Sequence, residues 1–280
     1  MVNLQPWYSA LRRQHIVDPV LGDWRQKRNP PTGEFLWGYD VEWVKWTAIG
    51  GGQADFDKQI KDLEPKDLAL LYSYFNQKGH VEELVIAFEQ LLGKELSMDG
   101  GAVIDVGCGP FTAGLALANV VGATGSFEYF GADRAVSMCN FGHVLAEATR
   151  DSGALHGETR VQFLPDVKDV STGAMKSKPV LVVLSYLLAS ETINVDELTG
   201  DILSVCDRMT MGPIDVLYTN SPREKACRNF PGLKQRLEGA GFDEVAGGKV
   251  TLTETSNDRD VHYALFHRGP TTDIPEHLFK

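Results

Sequence analysis

Paired cysteines are missing from this chain. Cys108, Cys139, Cys206 and Cys227 are widely separated and form no Cys-X-X-Cys pair. That spacing suggests neither a zinc site nor a disulfide framework, and a reducing cytoplasm fits it best. Long apolar runs are missing too. The longest, VLVVLSYLLA over 180–189, is too short to span a bilayer, and the opening MVNLQPWYSALRRQ lacks the apolar run of a secretory signal, so no membrane role is expected. His80, His143, His262 and His267 have no H-E-X-X-H or related spacing, and no G-X-S-X-G elbow occurs. A metal site and a serine-hydrolase site are therefore not expected.

Positive charge is in deficit. Lys and Arg number 27 against 38 Asp and Glu, a formal net charge of −11. Long-range repulsion from phosphate backbones weakens a nucleic-acid reading without removing it. The deficit is uneven: residues 1–60 hold seven basic and seven acidic side chains, so all of it belongs to 61–280. Tryptophan is absent after position 46, since Trp7, Trp24, Trp37, Trp43 and Trp46 are the only ones. The chain thus divides into an aromatic-rich extension over 1–60 and a domain over 61–280. Trp37, Tyr39, Trp43 and Trp46 either wall a substrate pocket or anchor the extension, and anchoring explains most of them. The cluster Arg25, Lys27 and Arg28 reads as a solvated surface.

Pro and Gly clusters in RNPPTGEF and AIGGGQ predict short helices and loops within 1–50. EPKDLALLYSYFNQKG and HVEELVIAFEQLLG read as two helices. In the second, Val81, Leu84, Val85, Phe88, Leu91 and Leu92 recur at helical spacing and Gly93 ends it. A strand and helix rhythm follows: AVIDVG, TAGLALANVV, SFEYFGADR, AVSMCNFGHVLAEATR, RVQFLPDV, PVLVVLSYLLAS, VDELTGDILSVCDRM, IDVLYTN and a helical region interrupted at Pro231. Two strands near KVTLTE and VHYALFHR close the chain. Alternating strands and helices predict a mostly parallel α/β sheet covered on both faces, and the last two strands predict an antiparallel edge pair. Asn194 with Glu197, and Ser221 with Glu224, have capping-box spacing, with Pro222 at a first helical position.

Between the first strand and its helix lies VIDVGCGPFTAG, residues 103–114. The first strand-to-helix turn of an open parallel sheet is the usual ligand site. A dinucleotide turn requires G-X-G-X-X-G, and here Gly107-Cys108-Gly109 is followed by Pro110, Phe111 and Thr112. This disfavours an NAD-dependent oxidoreductase. An acid, Asp105, precedes the first glycine by two residues instead.

The D-X-G-X-G arrangement resembles motif I of the class I S-adenosylmethionine-dependent methyltransferases, which often have a third glycine where this chain has Phe111. The resemblance covers roughly residues 80–268. It implies a Rossmann-like fold with a seven-stranded sheet, and a cofactor site built from Asp105, Gly107, Cys108 and Gly109. In YFGADRA it implies that Asp133, followed by Arg134, takes the ribose hydroxyls. In FLPDV it implies that Asp166, with Val167, receives the adenine, and in VVLSYLLAS it puts Ser185, Tyr186 and Leu187 beside the methyl group. The expected activity is methyl transfer from S-adenosylmethionine by in-line displacement, with Tyr186, Asn220 and Tyr39 as candidates near the methyl and Asp40 able to reach in. The acidic balance and aromatic extension lean toward a small-molecule acceptor. An RNA or ribosome-associated methyltransferase and a catalytically silent cofactor-binding module are the alternatives.

Overall fold

The computed structural model describes residues 2–91, 100–171 and 177–270. Seven strands form one sheet: β1 Gly101–Val106, β2 Phe127–Ala132, β3 Arg160–Leu164, β4 Val180–Ser185, β5 Ile214–Asn220, β6 Asp243–Leu252 and β7 Arg259–Arg268. They lie in the order β3-β2-β1-β4-β5-β7-β6. β1 through β5 are parallel, while β7 runs antiparallel to both β5 and β6. This is the mostly parallel Rossmann-like sheet with an antiparallel edge pair that the strand and helix rhythm predicts. The order reverses between β1 and β4, and a cleft opens at their carboxyl ends.

Both faces of the sheet are covered. Along β1, Val103 packs with Leu84, Val85, Phe88, Leu115 and Leu145 on one side. Its neighbours Ala102 and Ile104 pack with Ile202, Val205, Leu233 and Leu237 on the other. Adjacent residues of a strand point to opposite faces, so a strand with helices on both sides must be apolar throughout. All six residues of β1 are accordingly buried.

The helices that matter for the site are α1 Pro6–Arg12, α2 Pro65–Tyr72, α3 Lys78–Leu91, α4 Thr112–Val120, α5 Val136–Asp151, α6 Val195–Met209 and α7 Phe230–Gly239. Asn194 caps α6, its side chain accepting the N–H of Asp196 and Glu197. Ser221 caps nothing: residues 223–229 are turns and bends, and α7 starts at Phe230 with Pro231 in its first turn. Proline opens a helix readily but breaks one from inside, so Pro231 moves the helix start downstream.

Two further expectations are corrected. The first helical stretch of the extension is longer than its Pro and Gly content suggests, because α1 continues through a π turn at Arg13–Val17 into Asp18–Leu21. The π turn carries the run past Pro19, which has no N–H to donate. Likewise α2 and α3 are joined by a π turn at Ser73–Gln77 and run on through Gly79. Leu92 and Gly93, expected to end α3, lie outside the described residues.

The extension packs in two places. Tyr8, Leu11 and Ile16 join the core that contains Val103 and Phe88. Leu36, Trp37, Val44 and Ile49 form a separate cluster with Leu68 and Met138, which joins the extension to α2 and α5. Trp37 is an anchor, 1% exposed, whereas Trp24 and Trp46 are exposed. Arg25 departs from the expected solvated cluster. It is buried, it pairs with both carboxylate oxygens of Asp67 at 2.8 and 2.9 Å, and its guanidinium lies 3.9 Å over the Trp37 ring. A cation buried to this degree requires carboxylate partners, and Asp23 supplies a second one.

Candidate functional site

The cleft at the strand tips has a volume of about 680 Å³. Its floor is the turn after β1. Gly107, Gly109 and Phe111 all have left-handed backbones, with φ of 72°, 51° and 66°. At Gly107 the left-handed backbone favours glycine, and a β-carbon there would also crowd Leu187, 2.8 Å from its Cδ1. Phe111 adopts the same backbone region without glycine's freedom. Its ring is fully buried against Tyr129 and fills the space that a side chain on Gly114 would need, where a β-carbon would meet the ring at 1.9 Å. Burial of the ring offsets the strain of the left-handed residue. The Pro110 carbonyl accepts from Gln77 Nε2 at 2.7 Å, which ties the turn to the π segment before α3.

Asp133, one residue past β2, secures the turn from the side. Its Oδ2 accepts the Gly109 N–H at 3.0 Å and its Oδ1 accepts the Ala135 N–H at 2.9 Å. Burial raises its pKa, against the pull of those two N–H groups. Arg134 is exposed and reaches across to Thr192 Oγ1 at 3.2 Å. Asp166 is exposed at the tip of β3, its carboxylate accepting the Lys168 N–H at 3.0 Å, while the Val167 side chain is buried. Ser185 and Tyr186 stand at the tip of β4, where Ser185 Oγ accepts from Thr219 Oγ1 at 3.0 Å. Gly107, Gly109, Asp133, Arg134, Asp166, Val167, Ser185 and Tyr186 all line this one cleft.

Five other sequence candidates are located elsewhere. Asp105 lies beneath the turn, 2% exposed, where Tyr129 donates to its carboxylate at 2.6 Å. Burial pushes its pKa up to about 7 despite that hydrogen bond. Cys108 is buried beside it. Neither reaches the cleft surface. Asn220 is fully buried, donating to the Ala226 carbonyl at 3.1 Å and accepting the Ser221 N–H at 2.8 Å. It shapes the turn after β5 rather than the cleft. Tyr39 is outside as well, its ring stacked on Trp43 at 4.7 Å and its hydroxyl bound to Asp62. Asp40 caps the short helix Val41–Trp43.

The cleft also contains groups with no local sequence signal. Residues 52–57 of the extension form one wall. Asp57 joins that wall to the base of α5, accepting the N–H of Val136 at 2.7 Å and of Ser137 at 2.8 Å, while Ser137 Oγ donates to the Phe56 carbonyl at 2.8 Å. Burial works against its charge, but the two backbone donors outweigh it and hold its pKa below the usual carboxylate value. Tyr72 completes the wall beside Tyr186. Its hydroxyl lies 3.3 Å from His80 Nδ1, and the His80 ring stacks flat on Tyr186 at 4.1 Å. Burial, and then the nearby Arg259, drive the His80 pKa down to about 3, so the imidazole is neutral.

The lining is acidic. Asp55, Asp57, Asp133, Asp166, Glu197 and Asp201 face it against Arg134 and Lys168. Such a lining suits a ligand that carries positive charge and has hydroxyls to donate, and it opposes a polyphosphate. Among the described residues no group of three or more metal-ligating side chains converges, and no helix is long and apolar enough to cross a membrane.

No protein-family model and no curated protein matches the chain. Solved structures to which it is similar include a magnesium protoporphyrin IX methyltransferase from Synechocystis PCC 6803 with bound S-adenosylmethionine. That likeness is 14% identical, covers 81% of this chain and 94% of the other, and has a TM-score of 0.45. An S-adenosylmethionine-dependent methyltransferase from Methanosarcina mazei is 14% identical over 65% of this chain and 98% of its own, with a TM-score of 0.44. An arsenic(III) S-adenosylmethionine methyltransferase from Chlamydomonas reinhardtii is 11% identical over 69% and 74%, with a TM-score of 0.43. At these identities the likeness is one of fold.

Proposed function

We propose that this protein is an S-adenosylmethionine-dependent methyltransferase acting on a small-molecule acceptor. The observation that carries the reading is the Asp133 carboxylate bound to the Gly109 N–H at the point where strand order reverses. The cleft fits such a cofactor. Its volume is in the range of small-molecule sites. The left-handed glycines bring bare backbone to the surface, and the lining offers carboxylates to a cationic nucleoside without a phosphate cradle.

In this reading Gly107 and Gly109 hold the amino-acid end, Asp133 the ribose, and Asp166 with Val167 the adenine. Asp105 and Cys108 act from beneath by keeping the turn in shape. Ser185 and Tyr186 face the reacting centre. S-adenosylmethionine supplies a methyl group that its sulfonium already makes electrophilic. The chain's own work is alignment and exclusion of water, and residues 52–57 of the extension over 1–60 serve the domain over 61–280 as the covering wall. Four free cysteines agree with a cytoplasmic setting.

The test is calorimetry with S-adenosylhomocysteine and with NAD, followed by incubation with methyl-labelled cofactor and fractionated lysate. Binding of the sulfur nucleoside alone and label in small metabolites support the reading. Label in RNA assigns the acceptor class differently, binding without any labelled product makes the chain a silent cofactor module, and tight NAD binding overturns the cofactor.

A further inference from the structure

Behind the cleft wall lies a buried acid that the cofactor site does not use. Glu83, on α3, has a side chain only 1% exposed and is paired with Arg259 of β7. Its Oε1 accepts the Tyr186 hydroxyl at 3.1 Å, while its Oε2 is buried with no hydrogen-bond partner. Tyr186 has a left-handed backbone, φ 58°, although it is not glycine. A strained residue is retained where its surroundings impose it, and such residues cluster at functional sites. Here the surroundings are the flat stack on His80 and the hydroxyl contact to Glu83.

Resting on the methyltransferase reading, we propose that Tyr186 and Glu83 form a proton relay. The acceptor is then a small molecule whose nucleophilic atom carries a proton, an O–H or N–H group. As that atom bonds to the methyl carbon, the methyl–sulfur bond breaks and its electron pair returns to sulfur. The acceptor's proton passes to the Tyr186 oxygen, and the Tyr186 proton passes along its existing hydrogen bond to Glu83 Oε1. Tyr186 is the catalytic residue and Glu83 acts through it.

Other groups near the acceptor do not serve as the base. His80 is neutral and its Nδ1 faces Tyr72. The Tyr72 and Tyr186 phenols are both raised by burial and hold their protons at neutral pH. Glu83 is faced by Arg259 from β7, by Tyr186 from the β4 tip, by Tyr72 from α2 and by Glu82 on its own helix. Burial raises its proton affinity while Arg259 and Tyr186 oppose the rise. A carboxylate kept charged by a cation yet buried enough to accept a proton has the balance a general base needs.

The test compares wild type with Glu83→Gln and Tyr186→Phe; the latter keeps the ring and its stack. All three are bound to S-adenosylhomocysteine, and infrared difference spectra against Glu83→Gln follow the Glu83 carboxyl through a pH titration. The proposal expects a carboxylic acid band that titrates above ordinary glutamate and moves further up in Tyr186→Phe. With methyl-labelled cofactor and the small-molecule fraction, both variants lose about a hundredfold in rate together with the acidic limb of the pH profile, while cofactor binding is unchanged. A Glu83 that titrates as an exposed glutamate, or a Tyr186→Phe protein with wild-type rate and pH profile, overturns the relay and leaves the methyltransferase reading intact. Failure of wild type to bind S-adenosylhomocysteine overturns both.

Discussion

The Asp57 carboxylate accepts the Ser137 N–H at 2.8 Å across 80 residues of chain. It is the N-cap of a helix supplied from a different part of the sequence, since α5 has no side-chain cap of its own. Removal of a cap costs about 1 kcal/mol. Asp57→Ala is expected to lower the unfolding free energy by about that amount. It also weakens S-adenosylhomocysteine binding, because Phe56 and Asp57 hold the cleft wall against the segment that follows Asp133. Chemical denaturation and calorimetry check the two effects separately, and a lost cap with unchanged binding removes the wall from the cofactor site.

Phe111→Gly would put glycine at the left-handed position of the turn. The left-handed strain relieved is about 1–2 kcal/mol, whereas truncation of a buried Phe costs about 3–5 kcal/mol. The expected result is a net loss of about 2 kcal/mol, read by denaturant titration. A stabilised variant refutes the account of the ring as the compensating contact.

Asp105 makes stability depend on pH. Burial holds its folded pKa at about 7, above the ordinary carboxyl value of 3.8. The folded state therefore binds the proton more tightly, and this contribution is fully present below pH 3.8 and is lost as pH rises through about 7. Asp105→Asn retains the shape without the charge. Its melting temperature is expected to fall less than that of wild type between pH 4 and 7, and parallel curves dismiss the assignment.

Gly79 admits Arg259 to its partner. A β-carbon there would lie 2.3 Å from the guanidinium, which is the flexible end of the side chain and moves away. Gly79→Ala gains about 1 kcal/mol of helix propensity but strips the buried Glu83 of its cation, a loss of up to about 3 kcal/mol. The net change is destabilising. It is smaller at acid pH, where Glu83 takes up a proton, and thermal melts at two pH values decide it.

Much of the fold was legible because the relevant forces are local or periodic. Apolar runs such as 102–104 and 180–184 announce strands buried on both faces, and Asn194 announces the start of α6. The cleft was legible through Gly107, Gly109, Asp133, Asp166 and Tyr186, since strand tips bring them together once the sheet is parallel. Ser221 misled because its capping spacing is a local signal overridden by Pro231. Gly79, where the first of the two expected helices stops, misled because the space it leaves is filled by Arg259 of β7, and the helix runs on.

By itself the sequence determined the sheet, its polarity and the glycine turn, because side-chain periodicity and backbone sterics act within a few residues. Only the tertiary structure decided that Asp57 caps α5, that Arg25 is buried against Asp67, and that Glu83 stands behind Tyr186. Each of these joins residues far apart in the chain through short-range contacts, and the fold alone sets the distances on which hydrogen bonds and charges depend.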